Sequence, residues 1–425
     1  MTTPYIDTYY RRTLAQDIAY PPLHGNVAAD VCIIGGGLAG LSAAFDLAQA
    51  GRKVVLLEAH RIAWGASGRN GGFLTPGYST GLDRIEAVVG RDDADALYRM
   101  SIEGVDIVRS RLGEWQIAGA HPSAGLLHVT RYDSGDTLKP YRDEENTRFG
   151  RKIAFLDRSA VQQRLASPRY FQALFDPEAC HFHPLNYAQM LAAKIVARGG
   201  IIAEESPAQS VDRDAGAHFV TTALGRVSAR HVVFAGGGYT DNIAPKLKRA
   251  FLPIATYVLL TEKLGDLATA TIRTPAAIAD DRRAGDYYRL VEGDRILWGG
   301  RITTRRRDPR DIAAILRRQM VGTYPQLKDV KVELAWSGLM SYARHLMPQI
   351  GCLEEGLWYC TAFGGHGMNT TAIGGRVIAE AILGTSDRYR RFAPFGLDWN
   401  GGPFGKAAVQ ATYWSLQLMD WWRER

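Results

Sequence analysis

The stretch DVCIIGGGLAGLSAAFDLAQAGRKVVLLE, residues 30–58, decides how the rest of the chain is interpreted. It opens with a continuous apolar run from Val31 to Ile34, which is typical of a parallel strand buried on both faces. Glycines then introduce a helix with an apolar stripe, and residues 53–57 form a second strand that is apolar from Val54 to Leu57. The order strand, glycine turn, helix and strand predicts a βαβ unit.

Three glycines of this turn have separate predicted roles. Gly35 permits the sharp turn, Gly37 leaves space for a pyrophosphate beside the backbone, and Gly40 lets the helix pack closely on the strand. Glu58 ends the second strand, where a carboxylate can accept hydrogen bonds from ribose hydroxyl groups. A GxGxxG pattern alone is also compatible with an ordinary turn, but the complete βαβ context predicts dinucleotide binding.

Length and composition indicate a globular protein of two or three domains. The chain has 425 residues, of which 46% are hydrophobic and 22% charged. No run approaches the roughly 18 apolar residues of a membrane span, and the first residues lack the apolar segment of a signal peptide. We therefore expect a cytoplasmic protein without a membrane span.

The charge pattern argues against nucleic-acid binding. The net charge of +7 comes from 51 basic residues against 44 acidic ones, and the basic residues are scattered. A scattered excess is typical of a solvated surface, although an attraction for anionic substrates stays open.

Neither cysteines nor histidines form a recognisable metal site. His181 and His183 lie two residues apart, but no third ligand has suitable spacing, so we expect no metal. The cysteines lack the CxxC spacing of a zinc site and do not suggest a disulfide framework. They are Cys32, Cys180, Cys352 and Cys360.

Three more glycine-rich segments are predicted to contribute to the nucleotide-binding site. AHRIAWGASGRNGGFLTPGYS, residues 59–79, follows Glu58 directly and is predicted to continue along the same ligand; a flexible surface loop is the alternative. HVVFAGGGYTDN, residues 231–242, is a strand that runs into glycines, or else a buried strand with a loose turn. FGGHGMNTTAIGGRVIAE, residues 363–380, places a helix N-terminus, suited to partial negative charge, at a glycine cluster.

The segments GGGLAGLSAA, EAHRIAWGASGRNGG, HFHPLNYA and AFGGHGMNTT resemble the FAD-dependent amine and amino-acid oxidases of the D-amino-acid oxidase and sarcosine oxidase superfamily. Within it, the resemblance is strongest to the bacterial branch that oxidises gamma-glutamylputrescine, and it covers nearly the full chain. It implies an α/β fold, with a Rossmann-type FAD-binding domain of the glutathione-reductase kind and an α+β substrate domain built on an antiparallel sheet.

The same resemblance implies discontinuous domains. The FAD-binding domain is expected at residues 1–110, 185–250 and 340–425, and the substrate domain at residues 111–184 and 251–339.

Non-covalently bound FAD is the implied cofactor. In the superfamily an apolar residue at the position of Val211 packs against adenine, and the segment around His366 holds the pyrimidine end of the flavin. The predicted FAD contacts are Gly35, Gly37, Leu38, Ala39, Gly40, Glu58, Ala59, Arg61, Ala66, Ser67, Gly68, Arg69, Asn70, Gly71, Gly72, Val211, Ala235, Gly236, Gly237, Arg344, Gly364, Gly365, His366, Gly367, Met368, Asn369 and Thr370.

Two residues are candidates for catalysis. Asn369 stands where the sarcosine oxidases have a lysine, so binding of a small amino acid's carboxylate is not expected there. A donor at this position would stabilise the reduced flavin, whereas a plain helix N-cap is the structural alternative. His366 is the second candidate, or it supports the flavin through its backbone alone.

The activity that the resemblance implies is oxidation of an amine by hydride transfer to flavin N5, followed by hydrolysis of the imine and reoxidation by oxygen or another acceptor. A gamma-glutamyl amine or related polyamine derivative is the expected substrate, with a distal carboxylate that meets an arginine. A D-amino-acid or sarcosine-type dehydrogenase and a non-catalytic FAD-holding subunit are the alternatives. The sequence does not define the oligomeric state.

Aromatic residues give two further expectations. Tyr257, Tyr287, Tyr288 and Trp298 lie on predicted strands and are candidates to line the substrate pocket, or they are simply core. A stripe in the C-terminal helix is predicted to pack on its own domain, with membrane-surface contact as the alternative. The stripe consists of Trp414, Leu418, Trp421 and Trp422.

Overall fold

Two β-sheets, one mainly parallel and one mainly antiparallel, organise the chain. A computed structural model describes residues 4–214, 216–240, 242–282, 285–304 and 309–424. The strands are β1 Gly25–Ile34, β2 Val54–Leu57, β3 Phe73–Leu74, β4 Ser123–Val129, β5 Ala154–Leu156, β6 Ala173–His181, β7 Ile201–Ala203, β8 Ser210–Asp214, β9 Ala217–Thr221, β10 Gly225–Phe234, β11 Phe251–Thr261, β12 Ala277–Asp280, β13 Tyr287–Val291, β14 Arg295–Thr303, β15 Val332–Ala343, β16 Gln349–Glu354 and β17 Leu357–Thr361.

Helices fill the connections between these strands. They are α1 Tyr9–Arg12, α2 Leu38–Gln49, α3 Leu82–Val89, α4 Arg91–Trp115, α5 Lys139–Phe149, α6 Arg158–Arg164, α7 Pro184–Val196, α8 Pro245–Lys248, α9 Asp266–Thr271, α10 Ile312–Thr323, α11 Gly367–Leu383 and α12 Gly402–Arg423. Short 3₁₀ turns lie at Ala66–Gly68, Gly237–Tyr239, Pro325–Leu327 and Arg388–Phe395.

The first sheet has the strand order β16-β17-β10-β1-β2-β7, with the β8/β9 hairpin attached to β10. Strands β17, β10, β1, β2 and β7 are parallel, and β16 is antiparallel to its neighbour. Side chains of β1 and β2 alternate between two cores, as expected for a sheet covered on both faces. One core receives Val31, Ile33, Val54 and Leu56, and the other receives Cys32, Val55 and Leu57. The predicted Rossmann-type architecture is confirmed.

The second sheet has the order β15-β11-β14-β13-β12-β4-β6-β3, and β5 pairs with β6. Neighbouring strands of this sheet are antiparallel, except that β4 and β12 are parallel to each other. Helix α10 packs on one face through Leu316 and Met320. This face forms the core of the predicted substrate domain, and the α+β architecture with an antiparallel sheet is confirmed.

The exact domain boundaries stay a prediction. Strand β3, at residues 73–74, belongs to the second sheet, and β15 continues in that sheet to Ala343. The sheet therefore extends beyond the expected substrate segments at both places.

The C-terminal helix differs from the prediction. None of the residues of α12 is buried, and the exposed fractions of Trp414, Leu418 and Trp422 are 61%, 63% and 74%. The helix is attached instead by polar contacts, because Gln410 accepts a hydrogen bond of 3.0 Å from Thr303 and Glu424 pairs with Arg131 at 3.0 Å. The expectation that the aromatic stripe packs on its own domain is wrong. No described helix has the length and apolar character needed to cross a bilayer.

Helix α4 crosses the start of α11 at a glycine. A Cβ atom added to Gly104 would lie 2.4 Å from the carbonyl oxygen of Asn369, whereas one added to Gly113, in the same helix, would meet nothing within 4 Å. The two helices therefore approach as closely as they do because residue 104 has no side chain.

Alanine substitutions at these two glycines should change stability in opposite directions. Gly113→Ala should stabilise the protein by about 0.5–1 kcal/mol, since it lowers only the backbone entropy of the unfolded chain. Gly104→Ala should destabilise it by about 1–3 kcal/mol, because α4 and α11 must separate. Melting temperatures of the two variants, measured under the same conditions, test this; equal shifts would contradict the close crossing.

Candidate active site

A cavity of about 990 Å³ joins the glycine segments of the first sheet to one face of the second sheet. This volume is at the upper end of the roughly 300–1,000 Å³ typical of small-molecule sites. The predicted FAD contacts that line it are Gly35, Gly37, Leu38, Ala39, Glu58, Ala59, Ala66, Ser67, Arg69, Asn70, Gly71, Ala235, Gly236, Gly237, Gly364, Gly365, His366, Gly367, Met368 and Asn369.

In the turn after β1, backbone atoms of neighbouring segments are in direct contact. Gly35 has φ +116°, and a Cβ atom there would lie 2.7 Å from the carbonyl group of Ala235. A Cβ atom on Gly40 would lie 2.0 Å from the carbonyl oxygen of Gly35. Gly40 does not line the cavity, so it acts through the packing of α2 on the turn.

The N-terminus of α2 faces the cavity at Gly37, which begins the helix without a side-chain cap. The Leu38 N–H donates a hydrogen bond of 3.0 Å to Ser67 Oγ, so the loop after β2 is tied to this helix start. The remaining amides of the first turn and the positive end of the helix dipole suit a pyrophosphate.

Glu58 fixes the backbone around it. Its carboxylate accepts hydrogen bonds from the N–H of Gly36 at 2.7 Å and from the N–H of His60 at 2.9 Å. Burial raises the pKa of this carboxyl, and the two N–H donors act in the opposite direction. Because a carboxylate has about four lone-pair sites, further capacity remains for ribose hydroxyl groups.

The loop after Glu58 is pinned and does not lie free on the surface. The Asn70 amide donates to the carbonyls of Ala66 and Ser67 at 3.0 and 2.9 Å, and its oxygen accepts from the Gly72 N–H at 2.7 Å. Gly68 and Gly72 do not line the cavity, because each packs against a neighbouring carbonyl. The flexible-loop alternative does not hold.

The third motif brings His366 to the cavity as the N-cap residue of α11. Burial, and the nearby His128, lower the pKa of His366 to about 4, so its imidazole is neutral at pH 7. His128 also lines the cavity. Sequence reasoning missed it, because a single histidine on a strand carries no spacing signal.

Asn369 lies two residues beyond the start of α11 and is buried. Its side-chain amide donates to the carbonyls of Gly77 at 3.1 Å and Ser101 at 3.3 Å. It is therefore not the N-cap, and both amide hydrogens are already used by protein carbonyls. The residue ties the helix start to the loop after β3 and to α4.

Strand alternation decides which aromatic residues reach the cavity. Tyr287 lines it, and its ring lies against Gly71 of the cofactor loop. The adjacent Tyr288 points to the opposite face, stacks on Trp298 at 4.1 Å and 7°, and shares hydrogen bonds with two other buried tyrosines. Tyr257 is also buried in that core. The pocket assignments of Tyr257, Tyr288 and Trp298 are wrong, and the core alternative holds.

Four predicted FAD contacts also lie outside the cavity lining. Arg61 is buried in ion pairs with Glu204 at 2.7 Å and Asp17 at 3.0 Å. Arg344 is exposed, and the Thr370 hydroxyl donates to the carbonyl of His366.

Val211, the fourth, packs in the hairpin of β8 and β9, whereas Pro207 and Ala208 line the cavity close by. An apolar contact for adenine is therefore available a few residues before the predicted position.

The cavity extends along the second sheet to a polar end that the sequence did not indicate. Tyr98 donates a hydrogen bond of 2.6 Å to Glu145, and Arg151 pairs with Asp176 at 2.6 Å. Leu126 and Leu174 line the wall as well. Glu145 lies in α5, whose polar sequence has no helical apolar stripe, so neither the helix nor this end of the site was predicted.

The histidine pair is structural. His181 donates from Nε2 to the Pro275 carbonyl at 2.8 Å and accepts at Nδ1 from Arg289 at 2.8 Å. His183 accepts at Nδ1 from the Asn186 N–H and contacts the Thr13 hydroxyl through Nε2. Across the residues that the structure describes, no group of three or more potential ligands is placed to hold a metal ion.

The residues present fit a dinucleotide. A helix start, a buried carboxylate and glycines whose Cβ atoms would collide with neighbouring backbone form one continuous wall. The start of α11 adds a second set of main-chain donors at the other end of that wall.

Comparisons with known proteins agree with this fit. The family model described as FAD dependent oxidoreductase (DAO) matches residues 30–381. The Gamma-glutamylputrescine oxidoreductase of Escherichia coli K12 is 36% identical over 423 residues, which cover 98% of this chain and 99% of the relative. The Probable oxidoreductase OrdL of Haemophilus influenzae is 33% identical over 91% of this chain and 90% of its own.

A solved structure supports the same fold. The glycine oxidase from Geobacillus kaustophilus superposes with a TM-score of 0.73 at 18% identity, covering 88% of this chain and 99% of that one. With the family model spanning most of the sequence and a full-length relative above 30% identity, the chain belongs to the DAO family of FAD-dependent oxidoreductases.

Proposed function

We propose that this flavoenzyme oxidises a C–N bond of an amine, and that its substrate is a gamma-glutamyl amine or a related polyamine derivative. The observation that carries the proposal is the length of the cavity, which continues past the third glycine motif along the second sheet to Glu145 and Arg151. A cavity that continues beyond the cofactor segments has room for a substrate with a chain and a second polar group beyond its reacting amine. The name of the E. coli relative supports the same class.

The chain's own residues account for cofactor binding. The start of α2 would hold the pyrophosphate, Glu58 the ribose and the start of α11 the pyrimidine end. When bound, FAD supplies the hydride acceptor for the substrate carbon beside nitrogen, and oxygen or another acceptor restores it. Non-covalent binding is typical of the family, and none of the four cysteines lines the cavity.

The site must favour the unprotonated amine, because its lone pair assists departure of the hydride. An alkylammonium group has a pKa of about 10.4 in water, so neutral walls near the reacting carbon help to exclude the charged form. His366, with its pKa lowered to about 4, adds no charge at pH 7. The acidic groups lie at the far end instead, around Glu145 and Asp176.

Substrate ranking tests the proposal directly. Gamma-glutamylputrescine should exceed free putrescine, sarcosine and D-alanine in kcat/KM by at least about tenfold, since binding of a distal group positions the reacting carbon. Steady-state assays in air and anaerobic flavin bleaching, with the chain purified alone, measure this. A tenfold preference for sarcosine or a D-amino acid would overturn the substrate assignment, and no bleaching by any amine would favour the FAD-holding subunit.

Removal of the Glu58 carboxylate should release FAD. The charge-assisted bonds that Glu58→Ala removes contribute ~1.5–3 kcal/mol, roughly ten- to hundredfold in affinity. Glu58→Gln keeps an oxygen acceptor and should lose less. Flavin retained after dialysis, quantified by absorbance, compares the variants; full retention by Glu58→Ala would exclude this role.

Asn369 is proposed as a positioning residue. Asn369→Ala removes the hydrogen bonds to the Gly77 and Ser101 carbonyls, at about 0.5–1.5 kcal/mol each, and loosens the start of α11. We expect a lower melting temperature and anaerobic flavin reduction slowed by roughly ten- to hundredfold.

Asn186 provides a matched control. It is a buried asparagine that donates to the Gly119 carbonyl at 3.0 Å and does not line the cavity. Asn186→Ala should lower the melting temperature but keep the reduction rate. If Asn369→Ala also keeps that rate, Asn369 is only structural.

A further inference from the structure

Arg301 occupies a β-bulge in β14. Opposite it on β11, Tyr257 pairs with Gly300 and Thr256 pairs with Ile302, so Arg301 is an extra residue without a partner in the ladder. Its φ is +55°, in the left-handed region that arginine rarely adopts. The chain therefore accepts backbone strain at this position.

The bulge that contains Arg301 lies in the wall of the cavity. Arg301 lines the cavity together with Ile302, Thr256 and Tyr287, and it is exposed. Bulges beside active sites commonly re-aim a side chain, and strained residues that persist in such places point to a function.

The guanidinium of Arg301 is also available to a ligand. Within the described residues, its guanidinium has no hydrogen bond or ion pair. The other cavity arginines are engaged: Arg151 pairs with Asp176 at 2.6 Å and Glu178 at 2.8 Å, and Arg69 donates to the Trp64 carbonyl at 2.7 Å. Arg301 therefore offers the guanidinium that an anionic group of a ligand can bind.

We propose that Arg301 binds a carboxylate that the substrate carries away from its reacting amine, and so determines specificity for gamma-glutamyl amines. The inference rests on the proposed function. Guanidinium and carboxylate match in a bidentate geometry, which fixes orientation as well as affinity. Its exposed position suits the outer part of a substrate whose amine lies deeper, beside the cofactor segments.

The test uses binding, so that it does not depend on turnover. The probe is gamma-glutamyl-n-butylamide, which has the alpha-carboxylate but no oxidisable terminal amine; its alpha-carboxamide analogue is the paired probe. Kd values come from perturbation of the flavin absorption spectrum in the FAD-loaded enzyme. Arg301→Met should weaken binding of the carboxylate probe by roughly ten- to hundredfold and leave the carboxamide unchanged.

Two more variants complete the design. Arg310→Met removes an exposed arginine in the turn before α10 that does not line the cavity, and should bind both probes as the wild type does. Arg301→Gly should lose the carboxylate preference yet raise the melting temperature, because glycine adopts φ +55° without strain.

The outcomes separate the two proposals. If Arg301→Met weakens the binding of both probes equally, or of neither, the proposed role of Arg301 is wrong. Failure of the proposed function would show instead as wild-type flavin that gamma-glutamylputrescine does not reduce, whatever the Kd values of the inert probes.

Discussion

The contact of backbone with backbone at the tip of β1 is the constraint on which the rest of the structure depends. Gly35 touches the end of β10, and Gly40 touches Gly35, with no space for a methyl group at either place. This contact sets the height of α2 over the first sheet and therefore the point at which the start of the helix meets a phosphate. Ser67 and Glu58 then fasten the neighbouring loop and strand to the same point through hydrogen bonds.

The scattered arginines have a structural role that net charge does not reveal. Arg388 joins Glu103 of α4 to Glu380 of α11, and Arg111 joins α4 to Asp46 of α2. These ion pairs therefore connect α4 to α11 and to α2, which are distant from it in sequence. Because these guanidinium groups are neutralised by protein carboxylates, the excess of +7 says little about the charge inside the cavity, where the uncommitted Arg301 and the acidic end are local features.

The sequence predicted the nucleotide half of the molecule well because its signals are local: apolar runs, glycines and a carboxylate at fixed spacing. It failed where the outcome depends on which face a residue occupies or what lies opposite. Tyr287 and Tyr288 are chemically alike, yet only the register of β13 sends one to the cavity and the other to the core. Arg61 lies within a cofactor motif, but its guanidinium forms an ion pair with Glu204, which is distant in sequence. The bulge at Arg301 has no sequence signature at all.

The topology also has a consequence for biosynthesis. Strand β1 pairs with β10, Gly25 opposite Gly225, and β10 pairs in turn with β17, at residues 357–361. One edge of β1 therefore stays unpaired until β10 has been synthesised, and one edge of β10 stays unpaired until β17 follows. The closure of such long loops is slow. A truncated chain would expose the apolar β1 and β2 without their neighbours. Aggregation of incomplete chains, and binding of the cofactor only after the last strand arrives, follow from this order of assembly.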